Sequence, residues 1–287
     1  MRYENPKLPE HINLPPRHPF KESLRLCLVV IGGLVSFWTL LMLTTPWLVT
    51  LISFDTERQW VDDLDKNFLN IQHSAPTSEH GKIQRYLQYL ADEIVATSAT
   101  DPSMAVTVHY VEQDVINAFA TLGGHVIIYR GLLENLPSEN ALTLLLAHEI
   151  AHVQHRDPII ALGRMTALVL SGGAISGFGS NAISQRILNH MGLLSSLRFN
   201  RNQELRADEV ALNVVYQQYG TLSGAWALFT QLQCHSTATP PAFLSTHPAL
   251  TERIARATAL AHSTPARTTP LPDFIPQDTT NRPPCTP

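Results

Sequence analysis

The chain has 287 residues, 44% of them hydrophobic, which is enough for one sizeable domain with appendages. Its formal net charge of −4 offers no basic excess of the kind that nucleic-acid binding favours, so no nucleic-acid partner is expected. Three cysteines without a Cys-x-x-Cys pair exclude a disulfide-dense scaffold and a cysteine-ligated zinc ribbon, and the sequence leaves open whether Cys234 and Cys285 pair.

The N-terminal part of the chain predicts a polar arm followed by a membrane anchor. Residues 1–23 are polar and rich in proline, which is typical of disorder. Residues 24–54 are almost uncharged, and a helix needs about 20 apolar residues to cross a bilayer. A cleaved signal peptide is the main alternative. It is disfavoured because the apolar run exceeds the ~7–15 residues of a signal core and no A-x-A-like site follows it.

The charges on either side of the apolar run predict its orientation. Basic residues such as Lys7, Arg17 and Lys21 precede it, whereas acidic residues such as Asp62 and Asp63 follow it. The positive-inside rule then leaves the N-terminus in the cytoplasm and the remainder across the membrane. We therefore expect a single-pass protein of the bacterial inner membrane, with the residues that follow the helix in the periplasm.

The middle of the chain predicts a mixture of helices and short strands. Apolar residues at helical spacing follow a cap-like Ser78, and residues 104–111 and 125–129 have strand patterns. Ser138 after a proline marks the start of a further helix. These elements predict an α+β fold, mainly helical with a small β-sheet, over residues 55–262.

That further helix carries an H-E-x-x-H motif, which is typical of a catalytic metal site. Positions i and i+4 lie on one helix face, so the imidazoles of His148 and His152 can reach one ion. The carboxylate of Glu149 can then accept a proton from a metal-bound water as the catalytic base. The alternative is a chance match on an amphipathic helix. The apolar surroundings favour the metal site, because unpaired polar groups there would be costly.

A catalytic zinc site needs a third protein ligand. His155 lies about 5 Å further along the same helix, so we do not expect it to reach the ion. Glu204 on a second predicted helix is the better candidate. Asp208 lies one turn later and suits the orientation of a ligand imidazole by accepting its other N–H. We therefore expect one Zn²⁺ per chain held by His148, His152 and Glu204.

A second apolar stretch, residues 159–178, lies between the two groups of ligands. An odd number of membrane spans between residues that bind one ion is impossible, and residues 181–199 are too polar for a second span. We therefore expect a buried helix or an apolar hairpin over the active site. A re-entrant hairpin in the membrane is left open.

The motifs together resemble those of a known family of zinc metallopeptidases. They occur in this order: Asn117-Ala118-Phe119, Gly123-Gly124, Gly131-Leu132-Leu133, His148-Glu149-Ile150-Ala151-His152, Glu204 with Ala207-Asp208, and Ser245-Thr246-His247-Pro248 with Arg253. Over residues 81–261 the chain resembles the gluzincin family of HtpX and the CAAX prenyl endopeptidase, which implies a zincin-like fold.

The resemblance implies a role for each matching residue. It makes Glu204 the third zinc ligand and Asp208 the support of a ligand histidine. His247 resembles a catalytic histidine near the oxyanion position, and Arg253 an arginine that braces this region. The family's edge strand, along which the substrate backbone lies, is matched by Asn117, Ala118, Phe119 and Ala120.

Two departures from the family pattern limit what can be carried over. The integral-membrane members have several spans, whereas this chain has one convincing span. It therefore resembles the single-anchor or periplasmic members, and prenyl-protein processing is not expected. No tetratricopeptide array is evident, and the proline-rich residues 263–287 predict a disordered tail.

The sequence therefore predicts a membrane-anchored zinc endopeptidase. From the resemblance, its substrates are expected to be unfolded or misassembled membrane and envelope proteins. The alternative is a membrane-anchored assembly factor or holdase that binds unfolded chains and rarely cuts them. Glu149 argues against that alternative, because binding alone does not need a catalytic base.

Overall fold

A computed structural model describes most of the chain. The described residues are 19–49, 51–68, 78–98, 104–176, 198–227 and 264–277, together with Phe243, His247, Arg253, Ala255 and residues 259–260. Cys234, Cys285 and most of the predicted polar arm lie outside them.

The N-terminal helix α1 spans Pro19–Val49 and exposes most of its apolar side chains. Proline suits the first helical position because its missing N–H would have no partner there. Within the described ranges, α1 is the one helix long and apolar enough to cross a membrane, over Pro19–Thr45. The disorder predicted for residues 1–23 is wrong for residues 19–23, and the helix ends before residue 54, where the anchor was expected to end.

Two further helices precede the sheet. Helix α2 spans Phe54–Phe68, directly after the apolar helix. Helix α3 spans Glu79–Thr97, and its N-cap is the predicted Ser78, whose side chain accepts a hydrogen bond from Gly81 N. The predicted apolar face of α3, which includes Leu87, is buried in the core.

A three-stranded sheet lies beside these helices in the order β1-β3-β2. Strand β1 (Thr107–Val111) runs parallel to β3 (His125–Tyr129), and β2 (Ala118–Ala120) runs antiparallel to β3. Strand β2 is therefore at one edge of the sheet, as the resemblance implied for these residues.

The hydrogen bonds of β2 show which of its peptide groups face outward. Thr121 N donates to His125 O at 2.8 Å, and Asn117 O accepts from Tyr129 N at 3.2 Å. Because the peptide groups of successive residues in an antiparallel strand alternate in direction, those of Ala118 and Ala120 point away from β3.

The catalytic part of the fold consists mainly of helices that follow the sheet. They are α4 (Arg130–Leu133), α5 (Glu139–Gln154), α6 (Asp157–Ser176) and α7 (Arg201–Tyr219). Ser138 caps α5 as predicted, and Asn200 caps α7 through a capping box with Gln203.

Helix α5 is buried on almost all sides between α3, the sheet and α7. These elements share one apolar core, which includes Leu87, Val108, Ile128, Leu145 and Val215.

The N-terminal turn of α5 is also fixed by polar contacts. The carboxylate of Glu139 accepts hydrogen bonds from Tyr86 Oη on α3 at 2.5 Å and from Tyr219 Oη on α7 at 2.9 Å. Three helices are therefore joined next to the core.

The second apolar stretch forms helix α6, which packs against α1. A Cβ atom at Gly163 would lie 2.8 Å from Thr45 Cγ2, so the two helices approach closely at this point. Ile159 is buried against Val61 and Leu122. Most of the segment after α6 that would complete a hairpin, residues 177–197, lies outside the described residues.

Residues 264–277 pack against the domain. Thr269 N donates to Asn140 Oδ1 at 2.7 Å, and Thr269 O accepts from Glu139 N at 2.9 Å. Ile275 is only 2% exposed and belongs to the core. The disordered tail predicted for residues 263–287 is therefore wrong for 264–277, because backbone hydrogen bonds and a buried side chain hold this segment; residues 278–287 lie outside the described residues.

Candidate metal centre

The two histidines of the H-E-x-x-H motif lie one turn apart on α5 and face the same way. Their Nε2 atoms are 3.1 Å apart, and both side chains are buried. Helical periodicity explains this arrangement, because residues i and i+4 share a face. His148 and His152 thus present two ring nitrogens to one point, as predicted.

The carboxylate of Glu204 reaches the same point from α7. Its Oε2 lies 3.5 Å from His148 Nε2, and its Oε1 lies 3.5 Å from His152 Nε2. The carboxylate is fully buried where α7 packs against α5. The structure therefore brings together the three residues that the sequence predicts as ligands.

The spacing of these atoms fits a zinc ion. Tetrahedral zinc with bonds of about 2.0–2.1 Å requires ligand atoms that are about 3.3 Å apart. The three separations, 3.1, 3.5 and 3.5 Å, scatter around that distance. Two imidazoles with one carboxylate are also a donor set of catalytic zinc sites.

The imidazole of His247 lies within the same group. Its Nδ1 is 3.3 Å from His148 Nε2 and 3.1 Å from Glu204 Oε1. The ligand atoms of the four residues all lie within 4.8 Å of one another. Sequence reasoning did not foresee that His247 is placed like a fourth ligand. With three protein ligands the ion keeps one open position, whereas a fourth ligand closes the site. The catalytic donor role of His247 stays a prediction.

A buried carboxylate and a buried arginine, both singled out by the resemblance, lie behind His148. Asp208 Oδ1 lies 3.0 Å from His148 Nδ1. Arg253 donates two hydrogen bonds of 2.6 Å to Asp208 and a further one to Glu204. Such a bidentate pair fixes the orientation of the carboxylate. One arginine thereby links the support of His148 to the third predicted ligand.

The matching support of His152 is Asp157, which sequence reasoning missed. Asp157 Oδ2 lies 2.9 Å from His152 Nδ1, and its Oδ1 accepts a hydrogen bond of 2.6 Å from Gln203 Nε2. The side chain is completely buried. The sequence shows only that an acidic residue lies five positions after His152. It does not show that this residue contacts His152, because the contact depends on the turn at Arg156 (φ 58°).

The electrostatics of these residues favour an ionised Glu204. Burial opposes its charge, but the nearby imidazole of His247 and hydrogen bonds to the histidines lower the pKa of Glu204 below its usual range. Burial also opposes protonation of His148, but hydrogen bonds to Asp208 and Glu204 raise its pKa to about 9. The pKa of His152 is raised despite its burial, through Asp157 and Glu204. Because zinc binds neutral imidazoles, the raised pKa values of the two histidines oppose zinc binding as the pH falls.

Glu149 is fully buried and joins the metal centre to the edge strand. Its Oε2 accepts a hydrogen bond from Ala120 N at 2.8 Å, and its Oε1 lies 3.4 Å from His247 Nε2. Ala120 N is one of the outward-facing groups of β2. The predicted base therefore lies at the edge where the resemblance implied that a substrate backbone binds.

The four residues of the predicted substrate strand lie together at this edge. The peptide N–H and C=O of Phe119 are directed toward β3, in register with Ile127. Those of Ala118 and Ala120 point away from β3. Further along the edge, Phe243 N donates to Ile116 O at 3.4 Å. Substrate binding by Asn117, Ala118, Phe119 and Ala120 stays a prediction.

The structure combines a helix that carries H-E-x-x-H, a carboxylate from a second helix and a small sheet beside them. This combination defines a helical metallopeptidase domain. The chain belongs to peptidase family M48, whose sequence profile matches residues 77–261. The resemblance inferred from the motifs is confirmed.

Curated relatives with similar sequences include proteases of mitochondria and bacteria. The mitochondrial metalloendopeptidase OMA1 of Schizosaccharomyces pombe is 28% identical over 71% of this chain and 60% of its own. The beta-barrel assembly-enhancing protease of Escherichia coli K12 is 26% identical over 65% and 40%. Protease HtpX of Legionella pneumophila is 30% identical over 63% and 57%. The chain therefore spans 60% or less of the length of these relatives.

Proposed function

We propose that this chain is a membrane-anchored, zinc-dependent endopeptidase. The observation that carries the proposal is the convergence of His148, His152 and Glu204, with Glu149 buried beside them at a strand edge. Buried imidazoles and a carboxylate that converge on one point, each held from behind by a second polar group, are typical of a catalytic metal site.

The chain's own residues supply the proton transfer for peptide hydrolysis. Zinc at this site would supply a Lewis acid and lower the pKa of water to about 7. Glu149 accepts a proton from the attacking water and delivers it to the leaving amine. The hydrogen bond from Ala120 N holds the Glu149 carboxylate in one orientation for this transfer.

An extended peptide would bind as an additional strand along β2. The N–H and C=O of Ala118 and the C=O of Ala120 would give main-chain hydrogen bonds, which do not depend on substrate sequence. Because Ala120 N contacts Glu149, a peptide on this edge lies next to the catalytic base. Extended and unfolded chains are the substrates that suit this mode of binding.

The proposed location of the enzyme is supported by α1 and its flanking charges. The length and apolar character of α1 support membrane anchoring. The positive-inside rule supports a cytoplasmic N-terminus and a periplasmic catalytic domain at a bacterial inner membrane. Similarity to HtpX and to beta-barrel assembly-enhancing proteases supports unfolded or misassembled membrane and envelope proteins as substrates.

The second candidate function is a membrane-anchored assembly factor or holdase with little proteolysis. The edge position of β2 in the described sheet favours it, because an edge strand can bind unfolded chains without cutting them. The buried carboxylate of Glu149 beside the predicted ligands argues for hydrolysis instead.

The test compares Glu149→Gln with wild type in the full-length protein. Glu149→Gln should keep about one zinc per chain and lose about 10²–10⁴-fold of its turnover of unfolded casein, because the general base is removed. Glu209→Gln replaces an exposed acid on α7 and serves as the matched control. Full turnover by Glu149→Gln would refute the base assignment. Zinc-loaded wild type that binds casein without cutting it would favour the holdase.

A further inference from the structure

The chain between the apolar helix and the catalytic domain contacts two turns that border the metal centre. We define residues 52–58 as the juxtamembrane segment. It includes the end of the α1–α2 connection and the first turn of α2. It lies outside residues 77–261, where the family profile matches.

Glu57 is the central side chain of this segment. It is only 2% exposed although it carries a carboxylate. Its Oε1 accepts a hydrogen bond of 3.0 Å from Gly123 N, and its Oε2 lies 2.6 Å from Arg156 Nη2. One carboxylate therefore joins the juxtamembrane segment to two turns that are distant in sequence.

The first of these turns follows the strand that contacts Glu149. Gly123 lies in the turn between β2 and β3 and has a φ of 68°. A Cβ atom there would lie 2.8 Å from Arg58 Cα, so the turn packs directly against the backbone of α2. The strand that this turn ends includes Ala120, whose N–H holds the Glu149 carboxylate.

The second turn comes directly before Asp157, the residue that contacts His152. Arg156 has a φ of 58°, which is uncommon for a residue other than glycine. Its guanidinium donates to Ile52 O at 3.1 Å and lies 5.7 Å from the centre of the Phe54 ring. Surrounding contacts of this kind stabilise an otherwise unfavourable backbone conformation. The next residue is Asp157, which holds His152.

We propose that Glu57, in the juxtamembrane segment, is a positioning residue for the catalytic site. Through Arg156 it fixes the turn that aims Asp157 at His152. Through Gly123 it fixes the strand that holds Glu149. Glu57 thus positions both a metal ligand and the base. This proposal rests on the proposed zinc endopeptidase function.

The contacts of Glu57 with Arg156 and Gly123 can be weakened with little change in side-chain shape by removing the charge of Glu57. Glu57→Gln keeps the volume and an acceptor for Gly123 N, but leaves Arg156 without its partner carboxylate. Removing one member of a buried ion pair leaves an uncompensated charge that the surroundings must rearrange to solvate. Asp55→Asn removes an exposed charge from the same helix turn and is the matched control.

The experiment uses the full-length protein in detergent and measures zinc affinity by chelator competition, kcat and KM on unfolded casein, and the melting temperature without zinc. Loss of residues that orient metal ligands commonly costs about 10–100-fold in metal affinity or activity. Glu57→Gln should therefore weaken zinc binding and lower kcat about tenfold or more, with KM within about twofold. Asp55→Asn should match wild type in all four quantities.

A conservative variant and a double variant separate positioning from general support of the fold. Arg156→Gln should resemble Glu57→Gln, and the double variant should be no worse than either single variant, because both remove the same link. Arg156→Lys keeps a cation opposite Glu57 and should restore most of the zinc affinity. It also serves as the second variant if Glu57→Gln does not fold.

The outcomes distinguish this proposal from the proposed function. A lower melting temperature for Glu57→Gln, with zinc affinity and kcat of the folded protein unchanged, would mean that Glu57 only stabilises the fold. Equal zinc affinities for Arg156→Lys and Arg156→Gln, or additive losses in the double variant, would likewise overturn the link. Failure of wild type to bind zinc and cut casein would instead overturn the proposed function.

Discussion

The substitution Asp157→Asn tests how far a residue that binds no ion controls the metal centre. Asp157 accepts from His152 Nδ1 through one oxygen and from Gln203 Nε2 through the other. An asparagine has nearly the same shape but offers one acceptor and one donor group. In either orientation, its NH₂ group faces one of these two donors.

The expected loss follows from the burial of this site. A buried donor left without an acceptor costs about 1–3 kcal/mol. Removing the partner that orients a ligand imidazole costs about 10–100-fold in metal affinity, which corresponds to about 1.4–2.7 kcal/mol. The two estimates agree, so the zinc Kd of Asp157→Asn should rise about 10–100-fold above that of wild type.

Chelator competition at a fixed neutral pH measures this change directly. Glu209→Gln, an exposed acid on α7, should leave the zinc Kd unchanged. The melting temperature of each zinc-loaded variant shows whether the protein is folded during the assay. A folded Asp157→Asn variant whose zinc Kd stays within about threefold of wild type would refute the orienting role of Asp157.

Two further predictions concern pH and the C-terminal segment. Hydrogen bonds to Asp208 and Glu204 raise the pKa of His148 to about 9, so below that pH zinc competes with a proton for the imidazole. Zinc affinity from chelator competition should therefore rise by up to about tenfold per pH unit between neutral pH and pH ~9, and an affinity independent of pH would contradict this reasoning. Ile275→Ala should lower the free energy of unfolding by about 2–5 kcal/mol in urea titrations, because Ile275 is buried in the core. A change below about 0.5 kcal/mol would instead fit a segment that does not pack in solution.

The ligand set could be predicted from sequence because local rules determine most of its geometry. Helical periodicity alone places His148 and His152 on one face, and the same rule relates Glu204 to Asp208. The pairing of the two helices required the chemical argument that a catalytic zinc has a third protein ligand. The structure brings these side chains together in the predicted way.

The support of His152 could not be predicted because it depends on an unusual backbone conformation. Arg156 adopts a positive φ, for which its own side chain gives no signal. Asp157 precedes a proline and an apolar run, so it reads as an ordinary residue at a helix start. Its function is evident only when the contacts of Arg156 with Glu57 and Ile52 are known.

The C-terminal segment misled sequence reasoning because its composition is typical of disorder. Proline lacks a backbone donor, and several prolines in a short stretch reduce the regular structure that can form. Even so, Thr269 forms backbone hydrogen bonds with the start of α5, and Ile275 enters the core. Contacts with distant residues decide the outcome here, and a local pattern contains no information about them.

The most direct test of the metal centre is anomalous X-ray diffraction at the zinc edge from crystals of the zinc-loaded protein. The proposed function predicts one anomalous peak per chain, about 2.0–2.2 Å from a ring nitrogen of His148, a ring nitrogen of His152 and a carboxylate oxygen of Glu204. A zinc peak that lacks Glu204 among its ligands, or the absence of a peak between these helices, would contradict the account.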